Sequence, residues 1–311
     1  MSPAALALAG PTASGKSEFA LALAAQLPIE IISVDSAQVY RGLDIGSAKP
    51  DAASRVRVPH HLLDLREPHE AYSAGDFVED ALRAIDQIRG RGRVPLLVGG
   101  TMLYFRALLH GMAQLPRASP QIRLQLDAQA AEQGWPALHA QLALIDPDAA
   151  AGIHPNDPQR IQRALEVYRA SGRPISDWQR DTRPPAVGPI PRWALVPADR
   201  VLLRQRIADR FDEMLARGLL AEVERLRADP RLGGRENSLR AVGYRQLWMH
   251  LQGKLTLEQA REQAITATWQ LARRQLTWLR ADPTWQIVDP LASGAAQSWR
   301  DAAVAAWRPL R

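Results

Sequence analysis

Gly10-Pro11-Thr12-Ala13-Ser14-Gly15-Lys16-Ser17, preceded by the apolar run Ala4 to Ala9, is the stretch that decides the fold. It matches G-x-x-x-x-G-K-[ST], and the helix-forming run Glu18 to Leu27 comes after it, giving the order strand, glycine loop, helix. Gly10 and Gly15 let the backbone turn tightly enough to aim successive N–H groups into one concavity, an anion nest completed by a helix N-terminus. All eight residues, Gly10, Pro11, Thr12, Ala13, Ser14, Gly15, Lys16 and Ser17, are therefore candidates for binding a diphosphate or nucleotide. Lys16 adds a full charge, and the Ser17 hydroxyl is the candidate ligand for a magnesium ion bridging the phosphate oxygens. The motif leaves open whether a phosphoryl group is transferred.

Working outward, Pro28 to Asp35 reads as a second, buried parallel strand ending in a carboxylate. Residues just past strand C-termini line the ligand crevice of an open α/β sheet, which puts Asp35 beside the nest. Ser36 to Lys49 is a glycine-punctuated loop, and a polar, proline-flanked stretch runs on to His61. Leu62 to Leu65 reads as a short third strand, Asp76 to Ile88 as an amphipathic helix and Val94 to Val98 as another buried strand. That strand closes with Gly99-Gly100-Thr101, the last a helix N-cap candidate, where a hydrolysis-driven motor would carry a metal-binding acid. From Arg117 to Pro191 helical runs succeed one another without a strand. Trp193 to Val196 resumes the sheet, and long helices over 199–217, 219–228, 238–252 and 256–280 precede a last strand at 285–288. The fold class is thus α/β, a P-loop NTPase-like parallel sheet flanked by helices, with a helical insertion domain. Residues 1–116 form the first part of the core, 117–190 the insertion, and 191–311 the completion of the core with a basic helical part.

Length and composition set bounds on this reading. With 311 residues, 46% hydrophobic and 23% charged, the chain suits one large α/β unit or a core with a smaller insert. The absence of cysteine excludes disulfides, thiolate zinc sites and a cysteine nucleophile. No leader precedes the first strand and no apolar run approaches membrane length, so the expectation is a cytoplasmic protein without a membrane partner. With no exposed heptad or long apolar face, a monomer is expected. Charge is uneven: residues 1–150 carry 13 Lys/Arg against 16 Asp/Glu, and residues 151–311 carry 26 against 17. Only three of the 39 basic residues are lysine, which composition bias explains, but such a bias does not put the surplus in one half. A basic second half implies a polyanionic partner, most simply nucleic acid.

Several constellations sit in that half. On the 199–217 helix, Arg206 and Arg210 are one turn apart. They either close over a diphosphate or belong to a solvated face pairing with Asp209, Asp212 and Glu213. Arg160 and Arg163 share one face of a helix; Arg240, Gly243, Tyr244 and Arg245 mix base, aromatic and flexible backbone. Arg273, Arg274, Trp278 and Arg280 repeat that chemistry, which suits phosphates and splayed bases. His60-His61 has no third ligand and reads as structural.

Six stretches together resemble one family, the tRNA dimethylallyltransferases (isopentenyl-tRNA transferases). They are the glycine loop at 10–17, Asp-Ser-Ala-Gln-Val-Tyr-Arg-Gly-Leu-Asp-Ile-Gly-Ser-Ala-Lys at 35–49 and Val-Gly-Gly-Thr-Met-Leu-Tyr at 98–104. His-Pro-Asn-Asp-Pro-Gln-Arg-Ile at 154–161, Arg-Ala-Val-Gly-Tyr-Arg-Gln at 240–246 and Leu-Ala-Arg-Arg-Gln-Leu-Thr-Trp-Leu-Arg at 271–280 complete the set. One departure is Trp269, where the family usually has a basic residue.

The resemblance implies transfer of a dimethylallyl group from dimethylallyl diphosphate to N6 of the adenosine 3′ to the anticodon of tRNA. It also implies magnesium and a helical insert that clasps the anticodon arm. It assigns Asp35 as base, Lys16 and the loop to the donor diphosphate, and Arg210 to the reaction centre. At the RNA it implies Asp35, Ser36, Ala37, Gln38, Thr101, Arg123, Gln159, Arg160, Ile161, Gln162 and Arg163. It adds Arg240, Ala241, Val242, Gly243, Tyr244, Arg245, Arg273, Arg274, Gln275, Leu276, Thr277, Trp278, Leu279 and Arg280. The residues themselves leave two other readings, a small-molecule kinase using ATP at the same loop and a non-catalytic RNA-binding P-loop protein.

Overall fold

A computed structural model describes residues 3–117, 119–184, 187–234 and 236–307. In chain order its elements begin β1 (Leu6–Ala9), α1 (Lys16–Leu23), β2 (Ile29–Val34), α2 (Ala52–Arg57), β3 (His60–His61), α3 (Ala74–Gly90), β4 (Val94–Gly99) and α4 (Met102–His110). A helical stretch comes next: α5 (Pro120–Gln133), α6 (Trp135–Ile145), α7 (Pro147–Ala151), α8 (Pro158–Ser171) and α9 (Ile175–Arg180). The rest is β5 (Arg192–Leu195), α10 (Arg200–Ala216), α11 (Leu219–Arg227), α12 (Tyr244–Leu251), α13 (Leu257–Ala281), β6 (Gln286–Val288) and α14 (Ala295–Trp307). The chain divides into two compact units, residues 1–106 with 186–311, and residues 107–185.

The first unit is built on a six-stranded parallel sheet in the order β3-β2-β4-β1-β5-β6. Strands β1 and β4 are buried on both faces because helices cover both, which is why they read as continuous apolar runs. On one face Leu6, Leu8, Ile29, Ile31, Leu96, Trp193 and Leu195 pack against α1 and α14, with Phe19 and Trp193 both against Trp299. Helix α3, which packs on β2 and β4, starts at a full capping box between Ser73 and Asp76.

The register of the three central strands matters most. Ala9 and Val34 both pair with Gly99, so β1, β2 and β4 end level with one another. The first residues past these strand ends, Gly10, Asp35 and Gly100, therefore emerge along one edge of the sheet.

Two local expectations differ from the structure. The third strand is His60–His61, and residues 62–65 form a turn in which Leu62 and Asp64 take φ of 62° and 57°. That left-handed backbone sets the Asp64 carboxylate between Lys49 (2.7 Å) and Arg55 (2.9 Å). His61 is structural as expected: its Nε2 meets the buried Glu30 at 2.7 Å, along with Arg91 at 2.7 Å. The helix expected over 238–252 begins only at Tyr244, because Gly243 takes φ of 92° and interrupts the helical backbone.

The second unit is all helical and has its own core of Leu126, Leu138, Leu142, Ile161, Leu165 and Val167. It starts ten residues before the expected boundary at 117, within α4. Glu166, fully buried, bonds Arg123 (2.9 and 3.3 Å), Arg163 (2.7 Å) and the Ser119 amide (2.8 Å), tying α5 to α8.

Candidate active site

The glycine loop joins β1 to α1 with Ala13 at φ 61° and Gly15 at φ 87°. This sequence of left-handed residues turns neighbouring amides to one side. Gly15 caps α1 without any side-chain hydrogen bond, so the first-turn amides have no capping acceptor of the chain's own. Gly10 admits no side chain: a Cβ there would lie 2.7 Å from Ser14 Oγ and 3.0 Å from the Leu195 carbonyl. Ser14 is buried, and its Oγ has no hydrogen-bond partner among the described residues. Ser17 is exposed at the start of α1. Lys16 Nζ donates to the Pro11 carbonyl at 2.6 Å. Burial pulls the Lys16 pKa down to about 7, the Arg210 guanidinium adds to the fall, and Asp35 opposes it.

Asp35 and Arg210 are thus both within electrostatic reach of Lys16. Asp35 Oδ1 accepts the amides of Ala37 (2.8 Å) and Gln38 (3.4 Å), an Asx turn that fixes the side chain as the chain leaves β2. Its Oδ2 accepts no hydrogen bond from the described residues. Arg210, on α10, is within electrostatic reach of Asp35; burial lowers its pKa while Asp35 raises it, and its guanidinium makes no hydrogen bond to the described residues. Arg206, one turn earlier, is exposed. The structure thus separates the pair: Arg210 is half-buried and within electrostatic reach of Asp35, and Arg206 is exposed.

Thr101 stands at the N-terminus of α4, its carbonyl taking the amides of Tyr104 and Phe105. Its hydroxyl does not cap that helix; it accepts the Ser36 amide at 3.1 Å and so joins the segment after β4 to the segment after β2. Gln38 is tied into its own loop, accepting from Ser33 Oγ (2.8 Å) and donating to the carbonyls of Ser47 and Ala48 (both 3.2 Å).

The residues expected at the RNA divide by exposure. Gln159, Arg160, Arg240, Arg245, Arg273, Arg274, Thr277, Trp278 and Arg280 are exposed, and Ala37, Gln162, Ala241 and Val242 are half-buried. Arg106 lies over the Trp278 ring at 5.7 Å. Arg245 borders an open cavity of about 330 Å³ between α12 and α13, with Glu262, Gln263 and Gln270.

Five expected RNA residues have buried side chains and cannot contact a nucleic acid in this structure: Ile161, Tyr244, Gln275, Leu276 and Leu279. Ile161 is in the core of the second unit. Leu276 and Leu279 continue the inward stripe of α13 with Ala264 and Ala272, at helical spacing. Gln275 accepts the Thr12 amide and donates to the Gly100 carbonyl. Gly243 is buried too, its amide donating to Gln246 Oε1 at 2.9 Å. Arg123 and Arg163 keep exposed area but commit their guanidinium groups to Glu166.

Sequence reading missed Glu222 altogether. Its buried carboxylate accepts the amides of Asp44 (3.1 Å), Ile45 (2.8 Å) and Gly46 (3.2 Å) and the Tyr244 hydroxyl (2.6 Å). Tyr244 in turn accepts the Ser47 amide at 3.1 Å, so α11 and α12 together hold the loop that begins at Asp35. Lys49 does similar work from within, donating to the Tyr40 carbonyl and to Asp44 and Asp64, each at 2.7 Å. One Glu among the polar positions of a helix carries no sequence signal of this role.

The residues present suit a magnesium ion carried by the substrate. Among the described residues no group of three or more His, Asp or Glu forms a cage. Magnesium bound through phosphate oxygens needs only one or two protein oxygens, and the Ser17 hydroxyl is of that kind.

Comparison with known proteins gives the family. The family model described as IPP transferase matches residues 38–282. A tRNA dimethylallyltransferase of Bordetella petrii is 56% identical over 292 residues, covering 93% of each chain. One from Stenotrophomonas maltophilia is 57% identical over 297 residues, again covering 93% of each. The crystal structure of a tRNA isopentenylpyrophosphate transferase from Bacillus halodurans superposes with a TM-score of 0.71 at 36% identity, covering 97% of this chain and 96% of its own. A eukaryotic dimethylallyltransferase captured acting on tRNA gives a TM-score of 0.80 at 28% identity, covering 97% of this chain and 78% of its own. The chain belongs to the IPP transferase family, that of the tRNA dimethylallyltransferases.

Proposed function

We propose that the protein transfers a dimethylallyl group from dimethylallyl diphosphate to N6 of the adenosine 3′ to the anticodon in tRNA. The observation that carries this reading is the level ending of β1, β2 and β4, from which the glycine loop and the Asp35 carboxylate emerge along one edge of the sheet with β4 between them. An adenine N6 amine is a weak nucleophile because its lone pair is delocalised into the ring. As N6 bonds to the allylic carbon, one N–H proton passes to Asp35 Oδ2, and the C–O bond breaks with its electron pair on the diphosphate. In this reading Lys16, the loop amides and Arg210 stabilise the negative charge that develops there, and the partial burial of Lys16 and Arg210 supports the role by strengthening each interaction. Magnesium, held by Ser17 and the diphosphate, would supply further charge neutralisation to the leaving group.

The exposed arginines of α8, α12 and α13, with Trp278, are of the kind that holds phosphates and unstacked loop bases. The reading extends to a single chain acting on one anticodon stem-loop. The test is to incubate the protein and unmodified tRNA with labelled dimethylallyl diphosphate, and separately with labelled ATP. Label in RNA from the allyl donor alone is the expected result. Consumption of ATP without label in RNA would overturn it, as would RNA binding with no transfer at all.

A further inference from the structure

Gln275 comes directly after the exposed pair Arg273 and Arg274 on α13, yet it is only 8% exposed. Its Oε1 accepts the amide of Thr12, at the mouth of the glycine loop, at 3.2 Å. Its Nε2 donates to the carbonyl of Gly100, on the segment that leaves β4 toward Thr101, at 2.8 Å. A carboxamide carries an acceptor and donors on one planar head, so a single side chain can satisfy a backbone N–H and a backbone C=O at once. Gly100 is fitted to this contact: a Cβ there would lie 2.4 Å from Nε2. The Thr12 amide is consequently taken up by the protein and is not one of the donors offered to the diphosphate.

We propose that Gln275 is a positioning residue of the donor site, holding the glycine loop in its diphosphate-receiving shape from the helix that carries the RNA-side arginines. It does so without touching RNA. This rests on the reading of the loop as the diphosphate site. Removing the carboxamide leaves a donor and an acceptor unmet in a buried place, and both segments then relax toward other partners. Small displacements of groups that orient a substrate cost more than their distance suggests.

The test measures two affinities separately: inorganic diphosphate with magnesium by calorimetry, and unmodified tRNA by filter binding. Gln275→Ala weakens diphosphate binding about tenfold, the scale of one or two buried hydrogen bonds, and raises the KM for the allyl donor more than it lowers kcat. Its tRNA affinity stays within about twofold, whereas loss of a base or phosphate contact would cost more. Gln275→Glu keeps the acceptor and regains a donor only when protonated, so its diphosphate affinity relative to wild type recovers as pH falls. This pH comparison decides the matter if the alanine variant does not fold. Gly100→Ala, which strikes the same amide from the other side, adds less in the Gln275→Ala background than it does alone. An equal loss of tRNA affinity, or an unchanged diphosphate affinity, would overturn the proposal. A wild-type chain that binds diphosphate but transfers no allyl group refutes the proposed reaction alone.

Discussion

Asp35 holds one carboxylate oxygen with backbone amides, and its other oxygen accepts no hydrogen bond from the described residues, which suits the proton-accepting role proposed for it. Asp35→Asn preserves that hydrogen-bonding shape and removes the basicity. We expect turnover to fall about 10²-fold or more with tRNA affinity retained, read from single-turnover kinetics alongside binding. A second prediction concerns Lys16, whose pKa burial lowers to about 7. At pH 8 much of it is neutral in the free protein, and a bound diphosphate draws it back to the charged form. Diphosphate binding should therefore take up a proton at pH 8 and very little at pH 5.5. Calorimetry in buffers of different ionisation enthalpy measures this uptake, and Lys16→Ala should abolish the Lys16 share. In the free protein the lowered pKa means the unfolded chain binds more protons between pH 7 and 10.5, so the stability this residue costs below pH 7 is recovered as pH rises toward 10.5.

At the scale of elements, α13 has two faces with different tasks. Its inward stripe of Ala264, Ala272, Gln275, Leu276 and Leu279 docks on the core, and its outward arginines meet solvent. Arg274→Ala and, on α8, Arg160→Ala should lower tRNA affinity and flatten its salt dependence by roughly one released counterion each, measured as the slope of log affinity against log salt. The loop that starts at Asp35 depends on α11 and α12 instead. Tyr244→Phe removes the hydroxyl that joins Ser47 to Glu222 and leaves the Ser47 amide short of an acceptor. The expected cost is about 1–3 kcal/mol of stability in a urea titration, with the salt slope for tRNA unchanged.

For the molecule as a whole, the division into two units makes its own prediction. Residues 107–185 possess a separate apolar core and an internal carboxylate–arginine knot at Glu166. Expressed alone, this segment should melt cooperatively when monitored by far-UV circular dichroism. Glu166→Ala should lower its melting temperature by leaving two arginines without their shared acid. Among the described residues no helix is long and apolar enough to cross a membrane.

The glycine loop, the parallel strands that flank it and the helical insert were legible in the chain, because each is written in local terms. Backbone freedom at Gly10 and Gly15, unbroken apolar runs and 3.6-residue periodicity act over a few residues and need no distant partner. Asp35 was legible for a related reason: in a parallel sheet, the residue after a strand falls on the ligand edge whatever the rest of the chain does. The unequal fates of Arg206 and Arg210, and of Arg274 and Gln275, were not legible. Burial and pairing are settled by residues far away in sequence, as Gln275 is from Thr12 and Glu222 from Gly46. Sequence alone determined which chemistry the chain carries and at which edge of the sheet; packing alone decided which side chains are spent in holding that edge and which remain for a substrate.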